Sequence, residues 1–260
     1  MSYYSGQGKV YVATRDAGGN PGGFRWLGNV PSLELSIETE KFEHKEAYTG
    51  NRAIDVTVVT ETKATVTFTI EDFSVENLAL GLYGENTVVS GAAGVAEVLY
   101  SCWNPIGGTA RPLRVVNPNG LTVTTVKDIT DTTTYVEDTD YTVDLTNGTI
   151  TPIDTGAGVT SAGIVDGENL NIVYTHTGHT RTDVFTVTSK EVWLRFEGLS
   201  TLDSGETTLI DCFRVAVDPM TGYSLINEEM GSAELTGSIL VDTTRATGNQ
   251  YFQQINIPKV

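Results

Sequence analysis

The sequence predicts an all-β protein, a sandwich or barrel with one short flanking helix and an inserted β-rich region. Three observations carry that expectation. Apolar and polar residues alternate with period two along several segments. Thr and Val, whose branched Cβ suits a pleated surface better than a helix, dominate those segments. Turns rich in Gly, Asn and Asp separate many short runs, as in sandwiches and barrels rather than in an α/β fold.

In chain order, Leu33, Leu35 and Ile37 face one way and Ser32, Glu34, Ser36 and Glu38 the other, which reads as a half-buried strand. Ile54, Val56 and Val58 repeat the pattern. So do Val66, Phe68 and Ile70 against Thr65, Thr67, Thr69 and Glu71. The period then changes: Val75, Leu78, Ala79 and Leu82 fall at helical spacing behind the cap candidates Asp72 and Ser74, with Glu76 in the first turn and Gly84 beyond the end. A helix over about 73–83, with that apolar face inward, is expected to seal the sheet core. Further strands are expected at Val192, Leu194 and Phe196, at Thr207 to Val217 with Leu209, Phe213 and Val215 on one side, and at Leu235, Gly237, Ile239 and Val241.

Between Trp103 and Thr182 charge thins and turn signals accumulate, such as Asn117 to Gly120 and Asn147-Gly148. Tyr141 to Ile150 reads as strand, turn, strand, and Asn169 to Tyr174 as a further strand. The expected organisation is a core of residues 1–104 and 183–260, with residues 105–182 inserted as a β-rich region.

Acidic residues number 33 against 16 Lys and Arg, a formal charge of −17. Tight binding to nucleic acid depends on cationic contacts with phosphates, so this balance disfavours it. Cys102 and Cys212 each lie in an apolar β-like run and read as buried thiols rather than a disulfide or a metal pair. The opening Met1 to Gly8 has neither a basic nor an apolar leader region, and no apolar run approaches the ~20 residues of a membrane helix, so a soluble, cytosolic product is expected.

Motifs for chemistry are largely missing. Nucleophile elbows, Walker loops, dinucleotide fingerprints and paired-histidine zinc helices do not occur. His44, His176 and His179 are the only histidines; the last two, three apart in an extended segment, are expected to point to opposite faces. Glu137 to Asp140 reads as a solvated acidic turn, with oxygen coordination of calcium as the sharper alternative. Trp26, Trp103 and Trp193 read as core or interface packing, or else as the lining of a sugar groove. No catalytic residue, metal or cofactor is expected, although paired carboxylates are not excluded among so many acids.

The stretch from Glu38 to Arg52 is the most distinctive. It interleaves charges of both signs with Phe42 and Tyr48 between two alternating strands. It reads either as a solvated hairpin loop or as a contact arm, in which Glu40, Lys41, Glu43, His44, Lys45, Glu46 and Arg52 set register and the aromatics supply energy.

This arm, the two Thr/Val strands from Ala53 to Glu71 and the helix ending at Gly84 together resemble the N-terminal half of phage major tail tube proteins. Asp140-Tyr-Thr-Val-Asp144 with Gly148 to Ile150, Asp166 to Leu170 with Ile172 to Tyr174, and Phe196 to Gly198 leading to Ile239 to Asp242 are similar to that family's later half. The resemblance implies a β-sandwich or half-barrel subunit of a long-tailed phage, in particular a siphophage. Hexameric rings of it would stack into a hollow tube that delivers genomic DNA without binding it specifically. It implies a virion protein, made in the host cytoplasm, with tape measure, tail terminator and tail tip proteins as partners and no membrane contact. It also implies that the arm over about 38–52 reaches the next ring, that acids such as Glu34, Glu38, Asp55 and Glu71 face the lumen, and that residues 105–182 lie on the outer wall. Another tail-associated structural protein, a carbohydrate-binding sandwich and a carboxylate-dependent hydrolase are the alternatives.

Overall fold

The computed structural model describes residues 5–48, 50–103, 109–153, 163–201, 207–222, 224–228 and 230–257. The chain divides into two compact units, one of residues 1–86 and 182–260 and one of residues 87–181. The expected insertion therefore begins earlier than residue 105. The cause is Ala92–Leu99, whose ladder with Leu170–His176 commits it to the second unit.

The first unit contains β1 (Gly6–Thr14), β2 (Arg25–Trp26), β3 (Ser32–Lys45), β4 (Ile54–Ile70), α1 (Val75–Gly81) and the start of β5 (Glu85–Val89), whose remainder lies in the second unit. Strands β6 (Ala92–Leu99), β7 (Leu113–Arg114), β8 (Thr122–Asp128), β9 (Thr134–Tyr135), β10 (Tyr141–Asp144), β11 (Thr149–Pro152) and β12 (Leu170–His176) form the second unit. The chain returns through β13 (His179–Asp183) to β14 (Lys190–Ser200), β15 (Thr207–Val217), β16 (Ala233–Ile239) and β17 (Phe252–Ile257). Among the described residues the fold is mostly β with a single short helix, a sandwich-like architecture.

In the first unit one sheet runs β2-β1-β14-β15-β16-β4-β3, with β17 paired beside β15. Its inner face buries Val10, Val12, Val66, Phe68, Ile70, Val192, Leu194, Val215, Leu235 and Ile239 in one cluster. Each such side chain stabilises the fold by roughly 1.5–3 kcal/mol through the apolar area removed from water. Strands β1 and β3, with β14, β15, β16 and β4 between them in the sheet, line the same cleft of about 1100 Å³ together with Val30, Phe196 and Ile210, so the sheet is strongly rolled.

The expected strands form, but two bulges alter which side chains face inward. Val192 is opposite Val215 and Leu194 opposite Cys212, so β15 carries one extra residue at this point. Cys212 and Ile210 thereby join Val215 in the main core, while Phe213 turns to the other face and packs on Trp193 at 5.1 Å. Leu209, Phe213 and Val215 do not share one side. The second bulge lies in the arm.

Helix α1 is shorter than expected and presents a different face. Asn77, Ala79, Leu80 and Gly81 are buried, whereas Val75, Leu78 and Leu82 are only partly covered. The inward position of Asn77 explains the rotation: its Nδ2 donates to the Leu27 carbonyl at 2.9 Å and the Asp72 carbonyl at 2.8 Å, and its Oδ1 accepts from Arg25 at 2.5 Å. Gly28, next to Leu27, has φ +84 and would drive a Cβ into Asp72, so only glycine fits this closure.

In the second unit, sheets β6-β12-β8-β9 and β10-β11-β7 enclose Leu99, Cys102, Val126, Ile150, Leu170, Ile172 and Tyr174. The β10–β11 hairpin turns at Asn147-Gly148 as expected, with Gly148 at φ +61. Phenol groups are tied to acids: Tyr174 donates to Glu97 and Tyr135 to Glu168, each at 2.6 Å.

Candidate assembly surface

Strands β3 and β4 continue outward as a two-stranded ribbon, so the segment expected as a loop is largely strand. Register runs unbroken from Ser32 opposite Thr69 to Glu40 opposite Glu61. There Thr60 is left unpaired, and Lys41, Phe42, Glu43 and His44 then face Val59, Val58, Thr57 and Val56. The Thr60 hydroxyl donates to the Glu40 carbonyl, which anchors the bulge. A second bulge near the tip leaves Asp55 unpaired, and its carboxylate meets His44 Nδ1 at 2.6 Å. That bond lowers the Asp55 carboxyl below its ordinary range.

The Thr60 bulge moves a hydrophobic stripe across the ribbon. Val66 and Phe68 point into the core, but Val56 and Val58, of the same parity in β4, now share a face with His44 and Phe42. Phe42, Ile54, Val56, Val58 and Val59 are all at least half exposed. The charged members sit around them. Lys63 bridges Glu40 at 3.2 Å and Glu61 at 3.4 Å, which raises its pKa, chiefly through the Glu40 hydrogen bond. Glu46 is buried at the turn, accepts the Tyr48 amide and donates its own amide to Ala53. Tyr48 is 84% exposed, and Arg52 holds φ +50 at the turn. Thr49 lies outside the described residues.

The other expected acids separate. Glu34 and Glu38 project from the solvent face of the sheet beside Ser32 and Ser36, across from Thr69, Thr67, Thr65 and Lys63, and Glu234, Thr236 and Ser238 extend this polar face along β16. Glu71 follows β4 and accepts a hydrogen bond from Asn29. Asp55 lies apart from them near the ribbon tip, where its carboxylate meets His44.

Elsewhere, Trp193 is buried against Phe24 and Phe213. Trp26 and Trp103 stay partly open, each beneath a cation, Lys9 at 5.4 Å and Arg111 at 4.7 Å. They lie in different units, so no single groove unites the three within one unit. The turn at Thr177-Gly178 brings the His176 and His179 rings to 6.1 Å, edge on, instead of to opposite faces. In the acidic turn Asp140 is buried and accepts the Val136 amide at 2.7 Å, so it braces the turn rather than facing solvent. Among the described residues no group of three or more His, Cys, Asp and Glu side chains converges as a metal site. Cys102 and Cys212 are free and buried.

Among the described residues, fold and surface define a mostly-β protein with one short helix and an exposed, partly apolar ribbon. The chain belongs to the family described as "Protein of unknown function UCP028589", whose model matches residues 3–255. No curated protein matches it.

Proposed function

We propose that this chain is a non-enzymatic structural subunit of a siphophage tail tube, which assembles with its own copies into stacked hexameric rings. The observation that carries this reading is the β3–β4 ribbon, which holds Phe42, Val56 and Val58 on one face, at least half exposed, within a frame of both charge signs. A contiguous apolar strip of this kind marks a protein–protein contact, and the surrounding charges fix its register.

Two further features support it. A rolled sheet with a long edge strand is a liability in a lone subunit and an assembly surface in a closed ring. The face carrying Glu34, Glu38 and Glu234 among Ser and Thr side chains, with Lys63 opposite Glu38, is acidic on balance, and as a channel wall it would repel phosphates so that DNA passes without sticking. In this reading the ribbon stacks one ring on the next, the subunit resides in the virion tail after assembly in the host cytoplasm, and tape measure, terminator and tip proteins complete the tail.

Negative-stain microscopy of the purified chain at high concentration tests the proposal. Rings or tubes are the expected result. A monomer at every concentration and salt overturns it.

A further inference from the structure

The sheet of the first unit is forked. Strand β15 pairs with β14 along one side; along the other it pairs first with β17, from Thr207 to Cys212, and then with β16, from Val215 to Val217. Strands β16 and β17 therefore occupy one row, both antiparallel to β15. Strand β4 continues the sheet beyond β16 only from Ala64 to Ile70. From Ile54 to Lys63 it keeps β3 as neighbour on one side and has no ladder partner on the other among the described residues. Among the described residues the edge of β17 away from β15 is open as well.

The composition of these two edges sets them apart. Phe252 to Ile257 reads Phe-Gln-Gln-Ile-Asn-Ile, with no charge and no proline, and is exposed from Gln253 to Ile257. Sheet edges that remain in water are normally guarded by Lys, Pro or a bulge, and an unguarded six-residue edge is a template for another strand. On β4 the exposed run Val56-Thr-Val-Val-Thr60 is likewise uncharged. The outer edge strand β3 is not a match, since Glu38, Glu40, Lys41, Glu43 and Lys45 would set charges along the new ladder.

We propose that the open edge of β17 in one copy is covered by the open Val56–Thr60 edge of β4 in a second copy, through a main-chain ladder. The ladder rests on the self-assembly reading and names its contact: the outer half of the ribbon adds a strand to the neighbour's β15–β17 row, with a span of roughly 17 Å over five residues. Uncharged edges meet without burying an unpaired charge, and the mixed charges of β3 remain on the outside of the added layer.

Cysteine pairing tests this, because the native thiols are buried. Gln254→Cys is mixed with Val56→Cys, Val58→Cys or Thr60→Cys, to allow for register, under mild oxidation by oxidised glutathione. Far-UV circular dichroism confirms that each variant folds, and sedimentation follows assembly. The expected result is a covalent dimer in at least one mixture that is absent when either partner is oxidised alone. Assembled particles without a dimer in any mixture overturn the edge pairing while leaving self-assembly in place. A monomer under all conditions overturns both. An internally bridged monomer from a chain carrying Gln254→Cys and Val58→Cys together shows that the edge is closed by its own ribbon, and also overturns the proposal.

Discussion

Phe42 of β3 and Val58 of β4 stand directly opposite each other beyond the Thr60 bulge, 58% and 50% exposed. Cross-strand pairs of this type stabilise a ribbon, but here most of the apolar area stays in water and is available to another surface. Under the proposed assembly, replacing either side chain should cost the subunit little and the contact between copies much. Phe42→Ser and Val58→Lys are each expected to raise the concentration needed for assembly about ten-fold or more, from a loss of roughly 1.5–3 kcal/mol per contact. Sedimentation checks this, with an unchanged circular dichroism spectrum as the control.

The same pair shows what could be read from the sequence. Alternation located the strands at Leu33 to Ile37, Val66 to Ile70, Val192 to Phe196 and Leu235 to Ile239, because a half-buried strand writes its two faces directly into residue order. It could not reveal an unpaired residue. At Thr60 the phase of β4 slips by one, and the opposite direction of Val58 and Val66 depends on a pairing made across the ribbon. The slip beside Trp193 turned Phe213 away from Val215 by the same means. Strand β1 displays its pattern in Val10 and Val12, whereas β17, with exposed Gln253, Gln254 and Asn256, displays almost none. The charged residues of the ribbon were legible as candidates; their arrangement around an apolar strip was not.

Asn77 was invisible to a reading based on apolar spacing, yet it ties α1 to the sheet. Its side chain is fully buried and satisfies the carbonyls of Leu27 and Asp72 while accepting from Arg25. Asn77→Ala would leave several groups without partners, and the expected loss is about 2–4 kcal/mol in urea unfolding. Asn77→Leu, which restores volume without hydrogen bonds, should not recover it. Full recovery by Leu would show that packing alone holds the helix.

Cys102 and Cys212 should behave as inert core groups. Burial pushes both thiols up to about 12, with the Glu168 carboxylate adding at Cys102 and the Asp211 carboxylate at Cys212. A thiol reacts as the thiolate, so the native protein is expected to show almost no titratable thiol at pH 8 and two after denaturation. Rapid modification of either residue in the folded chain would contradict its placement in the core.

Asp242 fastens the segment between β16 and β17. It is 2% exposed, accepts from Arg15 at 2.9 Å and from the Thr244 hydroxyl at 2.7 Å, and lies 3.8 Å from Arg245. Arg245 in turn covers Phe213 at 3.5 Å, so the carboxylate also positions the lid over that aromatic cluster. Burial pushes the Asp242 carboxyl up, but the Thr244 hydrogen bonds and the Arg15 charge outweigh it, and the net pKa is lowered. A carboxyl whose folded pKa lies below its unfolded value stabilises the fold fully above the unfolded value, near 3.8, and loses that contribution as pH falls through the folded one. Asp242→Ala leaves the Arg15 guanidinium with only its longer bridge to Glu191 at 3.4 Å and is expected to cost about 1–3 kcal/mol at neutral pH. Against wild type, the difference in unfolding free energy should stay constant from pH 7 to about pH 5 and shrink in stronger acid, where the wild type also loses its ion pair. A difference that did not change with acid would mean that Asp242 acts through packing and not through its charge.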